Sequence, residues 1–94
     1  MSDTTVRVDS LPEAAVALLR AVHDALDVPL PGLADEDESE YAALLQRRSH
    51  DALAILGCVL EQGHDVIFAA GALRRWTADR PVTYTPWTDN GGAV

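Results

Sequence analysis

The stretch DESEYAALLQRRSHDALAILGCVLEQG, residues 37–63, decides the fold of this 94-residue chain. Placed at 100° per position, its apolar side chains form a single stripe along a helix. The stripe is centred on Tyr41, Leu45, Ala52, Leu56 and Val59 and is widened by Leu44, Ile55 and Leu60. Its phase holds across Ser49 and His50, which predicts one continuous helix over 37–62; a break at Ser49 is the alternative. Gly63 follows, where the left-handed conformation that ends many helices favours glycine.

Two further helices flank this one. Ser10 and Glu13 match a capping box, in which each side chain satisfies a free amide at a helix start, and an amphipathic pattern then continues to Asp27. Two prolines within residues 28–32 end that helix. After Gly63, His64 or Asp65 can cap a third helix. The sequence therefore predicts an all-α protein: a three-helix bundle with helices over about 11–27, 37–62 and 65–78, the first two forming an antiparallel hairpin.

The end of the chain has a different pattern. Residues 79–87 alternate β-forming side chains with Pro81 and Pro86, which block a helix. We expect an extended aromatic strap that lays Val82, Tyr84 and Trp87 onto the helices. Residues 1–9 are predicted to be a flexible lead-in, residues 10–87 a single helical domain, and residues 88–94 a disordered tail.

Charge and cysteine content exclude several classes of protein. Seven arginines, with no lysine, stand against 15 Asp and Glu residues and give a net charge of −8 at pH 7. This balance argues against a protein that grips nucleic acid by its phosphates, because such binding needs clustered positive charge. The single cysteine, Cys58, excludes a disulfide scaffold and a multi-cysteine zinc module. The acidic run over 35–40 falls where a helix should start, and the helix dipole stabilises carboxylates there.

The sequence also bears on location. The longest apolar run, Ala52 to Leu60, is shorter than the roughly 20 residues that span a bilayer. The polar start of the chain lacks the basic and apolar regions of a signal peptide. We therefore expect no membrane association and a cytoplasmic protein.

Three His-Asp pairs are the candidates for metal or proton chemistry, at His23-Asp24, His50-Asp51 and His64-Asp65. The helical rise separates His50 from His64 by roughly 20 Å, so we predict no metal site. Glu61, a helical neighbour of Cys58, disfavours its thiolate. The sequence contains no nucleophile elbow or phosphate-binding glycine loop. We expect no catalytic residues, no cofactor and no enzymatic activity.

Arg48 is a charge that falls inside the apolar arc of the second helix, between Leu44 and Ala52. Two interpretations of this position stay open. In one, the stem crosses the margin of the core and the guanidinium reaches water. In the other, Arg48 forms a structural charge pair with Asp24, Asp27 or a C-terminal carbonyl and pins the first or last segment of the chain.

The third helix is apolar on more than one side, because Ile67 and Phe68 point away from its main stripe. Together with Arg75 and with Tyr84 and Trp87 of the strap, they form the predicted partner-binding surface. We therefore expect a small acidic, non-enzymatic protein–protein interaction module, a regulatory or assembly subunit. Its partner would be another protein or a second copy in a homodimer.

Two alternative functions stay open. The acidic run over 35–40 and the carboxylates on the helix surfaces could imitate nucleic acid, as in an antitoxin-type inhibitor of a basic partner. In the second alternative, the chain is a weak helical nucleic-acid-binding domain. That domain would use the arginines of its two basic doublets, which are Arg47, Arg48, Arg74 and Arg75.

Overall fold

The fold is all-helical. A computed structural model describes residues 5–88, and within this range it contains three α-helices, one short 3-10 turn and no β-strand. The 3-10 turn is Val8–Ser10, α1 is Glu13–Leu26, α2 is Asp35–Gln62 and α3 is Val66–Asp79. The predicted class and number of helices are confirmed. Residues 1–4 of the predicted lead-in and residues 89–94 of the predicted tail lie outside the described residues.

The start of α1 differs from the prediction, and the expected capping box is wrong. The Ser10 hydroxyl donates to the carbonyl oxygen of Arg7 at 2.7 Å instead of serving the helix. It thereby closes the 3-10 turn, and Pro12 becomes the N-cap, with no side-chain cap hydrogen bond. Helix α1 therefore covers 13–26 rather than 11–27.

Helix α2 is a single element of 28 residues and has no break at Ser49. It begins at Asp35, two residues before the predicted start, and its first turn carries four carboxylates that interact favourably with the helix dipole. Gly63 has a φ of 70°, and the next amide, that of His64, donates to Cys58 O at 3.0 Å. This left-handed residue ends the helix where the sequence predicts.

Helix α3 starts at a side-chain cap. The Asp65 carboxylate accepts a hydrogen bond from the Phe68 amide at 2.8 Å, which selects Asp65 over His64 as the N-cap. The helix covers 66–79 rather than 65–78. Its C-cap is Arg80, and the chain from that residue onward leaves helical geometry.

The core lies where the three helices meet and is built mainly from alanine. Helix α1 packs most extensively against α3, and small side chains let their backbones approach closely. The only large side chain described as fully buried is Leu73, on α3. The buried apolar set is Leu18, Ala21 and Ala25 of α1, Ala52 and Ile55 of α2, and Ala69, Ala70, Ala72 and Leu73 of α3.

Residues 80–88, called the C-terminal segment below, run extended beside the loop that joins α1 to α2. The Trp87 amide donates to Leu30 O at 2.8 Å, and the Gly32 amide donates to Thr85 O at 2.8 Å. These bonds form an isolated antiparallel bridge between Pro31 and Pro86. The main chain of this segment is therefore paired with a loop, and the sequence pattern does not predict this pairing.

Hydrogen bonds that involve side chains also join residues 83–85 of this segment to the rest of the chain. Thr83 Oγ1 donates to Glu40 at 2.9 Å, and the Thr85 amide donates to Asp37 at 3.2 Å. The Tyr84 hydroxyl donates to the carbonyl oxygen of Pro29. Two carboxylates of the acidic run thus have a structural role besides their interaction with the helix dipole.

None of the helices in the range 5–88 is both long and apolar enough to cross a membrane.

Candidate protein-interaction surface

The outward face of α3 is the best-exposed part of the predicted partner-binding surface. Ile67 and Phe68 are 54% and 65% exposed although both are large and apolar. Two turns further along, Arg74 and Arg75 are also exposed and, within residues 5–88, form no hydrogen bond or ion pair. We call the set Ile67, Phe68, Arg74 and Arg75 the α3 patch. It combines apolar side chains with unpaired positive charge.

Tyr84 does not belong to this surface. It is only 6% exposed. Its ring packs edge-on against Tyr41, with the ring centroids 6.0 Å apart and the planes at 86°. Its hydroxyl is occupied by Pro29 O. The prediction that Tyr84 contacts a partner is therefore wrong, because its ring and hydroxyl hold the C-terminal segment to the helices.

Trp87 is 42% exposed but lies far from the α3 patch. Its amide is bonded to Leu30, just before α2 begins, whereas Phe68 follows the turn at which α2 ends. A helix of 28 residues is about 42 Å long. The structure therefore places Trp87 and Phe68 at opposite ends of α2, and they do not form the single surface that the sequence suggests.

Arg48 resolves the two interpretations that the sequence left open. It is 7% exposed, and its guanidinium binds main-chain carbonyls rather than water. Nε and Nη2 both donate to Arg80 O, at 3.2 and 2.8 Å, and Nη1 makes longer contacts with Asp24 O and Ala25 O at 3.4 and 3.5 Å. Of the three alternative partners, a C-terminal carbonyl is thus the main one, and Asp24 contributes its main-chain carbonyl rather than its carboxylate.

An ion pair completes this site, and sequence reasoning missed it. Asp51 is 8% exposed, and its carboxylate accepts a hydrogen bond from Arg80 Nε at 2.8 Å. Arg48 and Asp51 are three positions apart on the buried side of α2, so two opposite charges fell on one face of a largely apolar stripe. That spacing was the sequence signal from which a buried polar site could have been predicted. Together they hold Arg80 by both its carbonyl and its guanidinium.

The surroundings of Tyr84 perturb its acidity. Burial raises the pKa of Tyr84 above its ordinary value of 10.0, and the nearby Tyr41 acts in the same direction. The Arg48 guanidinium opposes this increase, because a positive charge favours the phenolate. The neutral phenol is the form that donates to Pro29 O. The site thus depends on Tyr84 staying protonated.

Several exposed apolar side chains were not anticipated from the sequence. Leu60 was assigned to the buried stripe of α2 but is 78% exposed, and Leu53, two turns earlier, is 68% exposed. In the loop before α2, Leu30 and Leu33 are 62% and 83% exposed. Helical periodicity locates a broad face, but which edge of that face is covered depends on how the neighbouring helices pack.

The two helical glycines, Gly57 and Gly71, are partly buried. Gly57 and Gly71 are each about 1 kcal/mol less favourable than alanine inside a helix, a cost that close helix approach would explain. No atom lies within 4 Å of a Cβ built on Gly57, and the nearest atom to one on Gly71 is Arg75 Nη1 at 3.9 Å. Close helix approach therefore does not explain either glycine, and nothing else in the described fold does.

The candidates for catalysis or metal binding remain separate from one another. Within residues 5–88, no three His, Cys, Asp or Glu side chains are close enough to hold a metal ion. Cys58 is partly buried and is not in a disulfide. His23 contacts Asp24 at 3.2 Å, and both side chains are well exposed. A shallow cavity of about 340 Å³ lies between α2 and the C-terminal segment, lined by Glu40, Ala43, Leu44, Arg47, Arg80 and Thr83.

Comparison with known proteins identifies no relative. No protein-family model matches the chain, and no curated protein or solved structure shows significant similarity to it.

Proposed function

We propose that the protein is a small acidic, non-enzymatic interaction module, a regulatory or assembly subunit that binds its partner through the α3 patch. The observation that carries this proposal is the exposure of Ile67 and Phe68, at 54% and 65%, on consecutive positions of one helix. Burying a large apolar side chain is worth on the order of 2 kcal/mol. Two neighbours of this kind favour association.

The composition of the α3 patch supports the same proposal. Energetically dominant interface residues are enriched in aromatic side chains and arginine, and the patch joins Phe68 to Arg74 and Arg75. Gly71 lies between them, and the one atom described within 4 Å of a Cβ built there is Arg75 Nη1 at 3.9 Å, the far end of a flexible side chain. A partner side chain can therefore approach the helix backbone between the apolar and the basic halves of the patch.

The polar groups of the core support a structural rather than a chemical function. Arg48 and Tyr84 each bind a main-chain carbonyl, and Asp51 binds the Arg80 side chain, so these groups join the C-terminal segment to the helices. Thr77 Oγ1 is buried without a hydrogen-bond partner in the described residues, and a lone hydroxyl without an adjacent base is a poor nucleophile. We assign residues 80–88 the role of a strap that holds the helices together.

Site-specific photocrosslinking tests the proposal. A photoreactive phenylalanine analogue is placed at position 68, and the matched control carries it at position 53, where Leu53 is equally exposed. In extract of the source organism we expect a discrete adduct from position 68 and none from position 53. Excess unlabelled wild-type protein should abolish an adduct with a different protein, whereas the Phe68→Asp variant should not. Adducts of equal yield at both positions, or none at position 68, would contradict the proposal.

A second candidate function, a nucleic-acid mimic, is favoured by the free part of the acidic run. Asp35, Glu36 and Glu38 are exposed and, within residues 5–88, have no hydrogen bond or ion pair. A mimic should bind a basic partner with an affinity that falls steeply with salt, whereas binding through Phe68 should respond weakly. Burial of Arg48 argues against direct nucleic-acid binding, because this arginine cannot reach a phosphate.

A further inference from the structure

The chain carries a second exposed apolar patch, and its charge is opposite to that of the α3 patch. Leu30 and Leu33 lie in the loop before α2, and Leu33, at 83%, is the most exposed large apolar side chain described. Asp35 and Glu36 follow in the first turn of α2. We call this set the α2-entry patch. One patch is therefore apolar and basic, and the other is apolar and acidic.

The α2-entry patch is held in a fixed conformation. Leu30 O accepts the Trp87 amide at 2.8 Å, and the Gly32 amide donates to Thr85 O at 2.8 Å. A loop fixed by main-chain bonds loses little conformational entropy when it binds, so its exposed leucines are available at low cost. These main-chain bonds distinguish the patch from exposed side chains on an unrestrained loop.

The charges of both patches are free. Of the acidic run, Asp37 and Glu40 bind the C-terminal segment, but within residues 5–88 Asp35 and Glu36 bind nothing. The guanidinium groups of Arg74 and Arg75 are likewise without a hydrogen-bond or ion-pair partner in that range. Each patch therefore presents two unpaired charges that the other would complement.

The two patches cannot meet within one chain. The α2-entry patch lies at the start of α2 and the α3 patch follows its end, and this helix is about 42 Å long. Their complementarity can only be satisfied between molecules. We infer that the protein associates with a second copy of itself, the α3 patch of one copy docking on the α2-entry patch of the other. A two-fold axis makes the contact twice and closes the assembly as a dimer.

This inference rests on the proposed function and names its partner. The net charge of −8 opposes self-association at long range, but salt at about 0.15 M screens charges beyond about 8 Å. Ion pairs formed at contact distance survive that screening better. Association should therefore be stronger at moderate salt than at very low salt, unlike the binding of a purely electrostatic mimic.

Charge reversal tests the inference on the full chain by sedimentation velocity. One variant combines Arg74→Glu with Arg75→Glu, and the other combines Asp35→Arg with Glu36→Arg. We expect wild type to dimerise, and each variant alone to lose affinity for itself by about tenfold or more, because each pairs like charges twice. An equimolar mixture of the two variants should dimerise again, since both contacts of the mixed pair are then complementary. Circular dichroism checks that each variant folds, and the milder pair Arg75→Glu and Glu36→Arg replaces any variant that does not.

Three results would overturn the inference: a wild type that stays monomeric, an association that ignores the reversals, or a mixture that stays monomeric. If the double variant Leu53→Asp/Leu60→Asp lost the dimer while the charge variants kept it, the interface would lie on α2 instead. If copies do not associate while position 68 still crosslinks to another protein, the proposed function stands and the self-association fails.

Discussion

At the residue scale, Arg48 shows why a buried cation can be stable without a carboxylate partner. Carbonyls near a helix C-terminus lack intrahelical donors and carry partial negative charge. The planar guanidinium offers several N–H groups in fixed directions. It uses them on Arg80 O, beyond the end of α3, and on Asp24 O and Ala25 O, near the end of α1. One side chain therefore caps two helices.

Replacing this cation should be costly. In Arg48→Met the stem is conserved, but Arg80 O and the end of α1 lose their donor, which we expect to lower the free energy of unfolding by about 2 kcal/mol. Urea denaturation followed by circular dichroism measures the change. The matched control is Arg47→Met: Arg47 is exposed and unpaired within residues 5–88, and its loss should change the stability by less than about 0.5 kcal/mol. An Arg48→Met protein as stable as wild type would contradict a pinning role.

Tyr84 should make the stability fall in alkaline solution. Its pKa in the folded state lies above the unfolded value of 10.0, so the stability that the neutral phenol contributes is complete below pH 10. It is lost as the pH rises through the folded-state pKa. Tyr84→Phe should be less stable at pH 7, by about 1 kcal/mol for the lost bond to Pro29 O, and should lose less stability above pH 10. Unfolding curves from pH 7 to 11 test this, and a Tyr84→Phe protein with an unchanged alkaline slope would refute it.

At the element scale, the C-terminal segment depends on a close approach at Gly32. A Cβ at this position would lie 3.0 Å from Thr85 O and 3.0 Å from Asp37 Oδ2. One of these atoms belongs to the main chain and is bonded to the Gly32 amide. Any side chain here pushes the segment away from the loop that it pairs with.

Replacing Gly32 and replacing Gly57 by alanine should therefore have opposite effects on the free energy of unfolding. We expect Gly32→Ala to destabilise the fold by about 1 kcal/mol by loosening the segment, and to shift the fluorescence of Trp87 toward that of a solvent-exposed indole. Gly57→Ala is the control: its Cβ meets no atom within 4 Å, and it should stabilise α2 by up to about 1 kcal/mol. Equal effects of the two changes would show that the close approach at Gly32 is unimportant.

The elements also show what the sequence can and cannot predict. Apolar periodicity places all three helices to within two residues, and Gly63 and Asp65 mark their ends correctly. The start of α1 was mispredicted because Ser10 has a competing acceptor in Arg7 O. The partners of the C-terminal segment could not be read from the sequence, because Trp87 pairs with a loop far from it along the chain.

At the scale of the whole molecule, the core is small, and many large apolar side chains therefore stay on the surface of the protein. Periodicity assigned Leu60 to the buried stripe, yet it is 78% exposed, because alanine-lined helices pack closely and leave the margins of each stripe uncovered. The candidate surface was likewise predicted only in part, because helical periodicity does not describe how the helices pack together. Ile67 and Phe68 could be identified from one helix alone, whereas the separation of Trp87 from them depends on tertiary packing.

A core of this size should give a modest stability that depends heavily on Leu73. For a chain of this length we expect a free energy of unfolding near the lower end of the usual range, about 5 kcal/mol. Leu73 has no exposed surface, so Leu73→Ala should cost about 3 kcal/mol. Leu53→Ala, at a position 68% exposed, serves as the control and should cost less than about 0.5 kcal/mol. Comparable losses in the two variants, measured by urea titration, would mean that the helices pack differently.

The contacts of Arg48 also set the size of the cooperative unit. If the C-terminal segment frayed alone, the guanidinium would lose its shortest bonds, to Arg80 O, while staying buried between α1 and α2. A desolvated cation with too few acceptors is unfavourable enough to resist that partial opening. The amide hydrogens of Thr85 and Trp87 should therefore exchange with solvent together with those of the helices. A segment with no regular secondary structure thus unfolds and refolds as part of the helical domain.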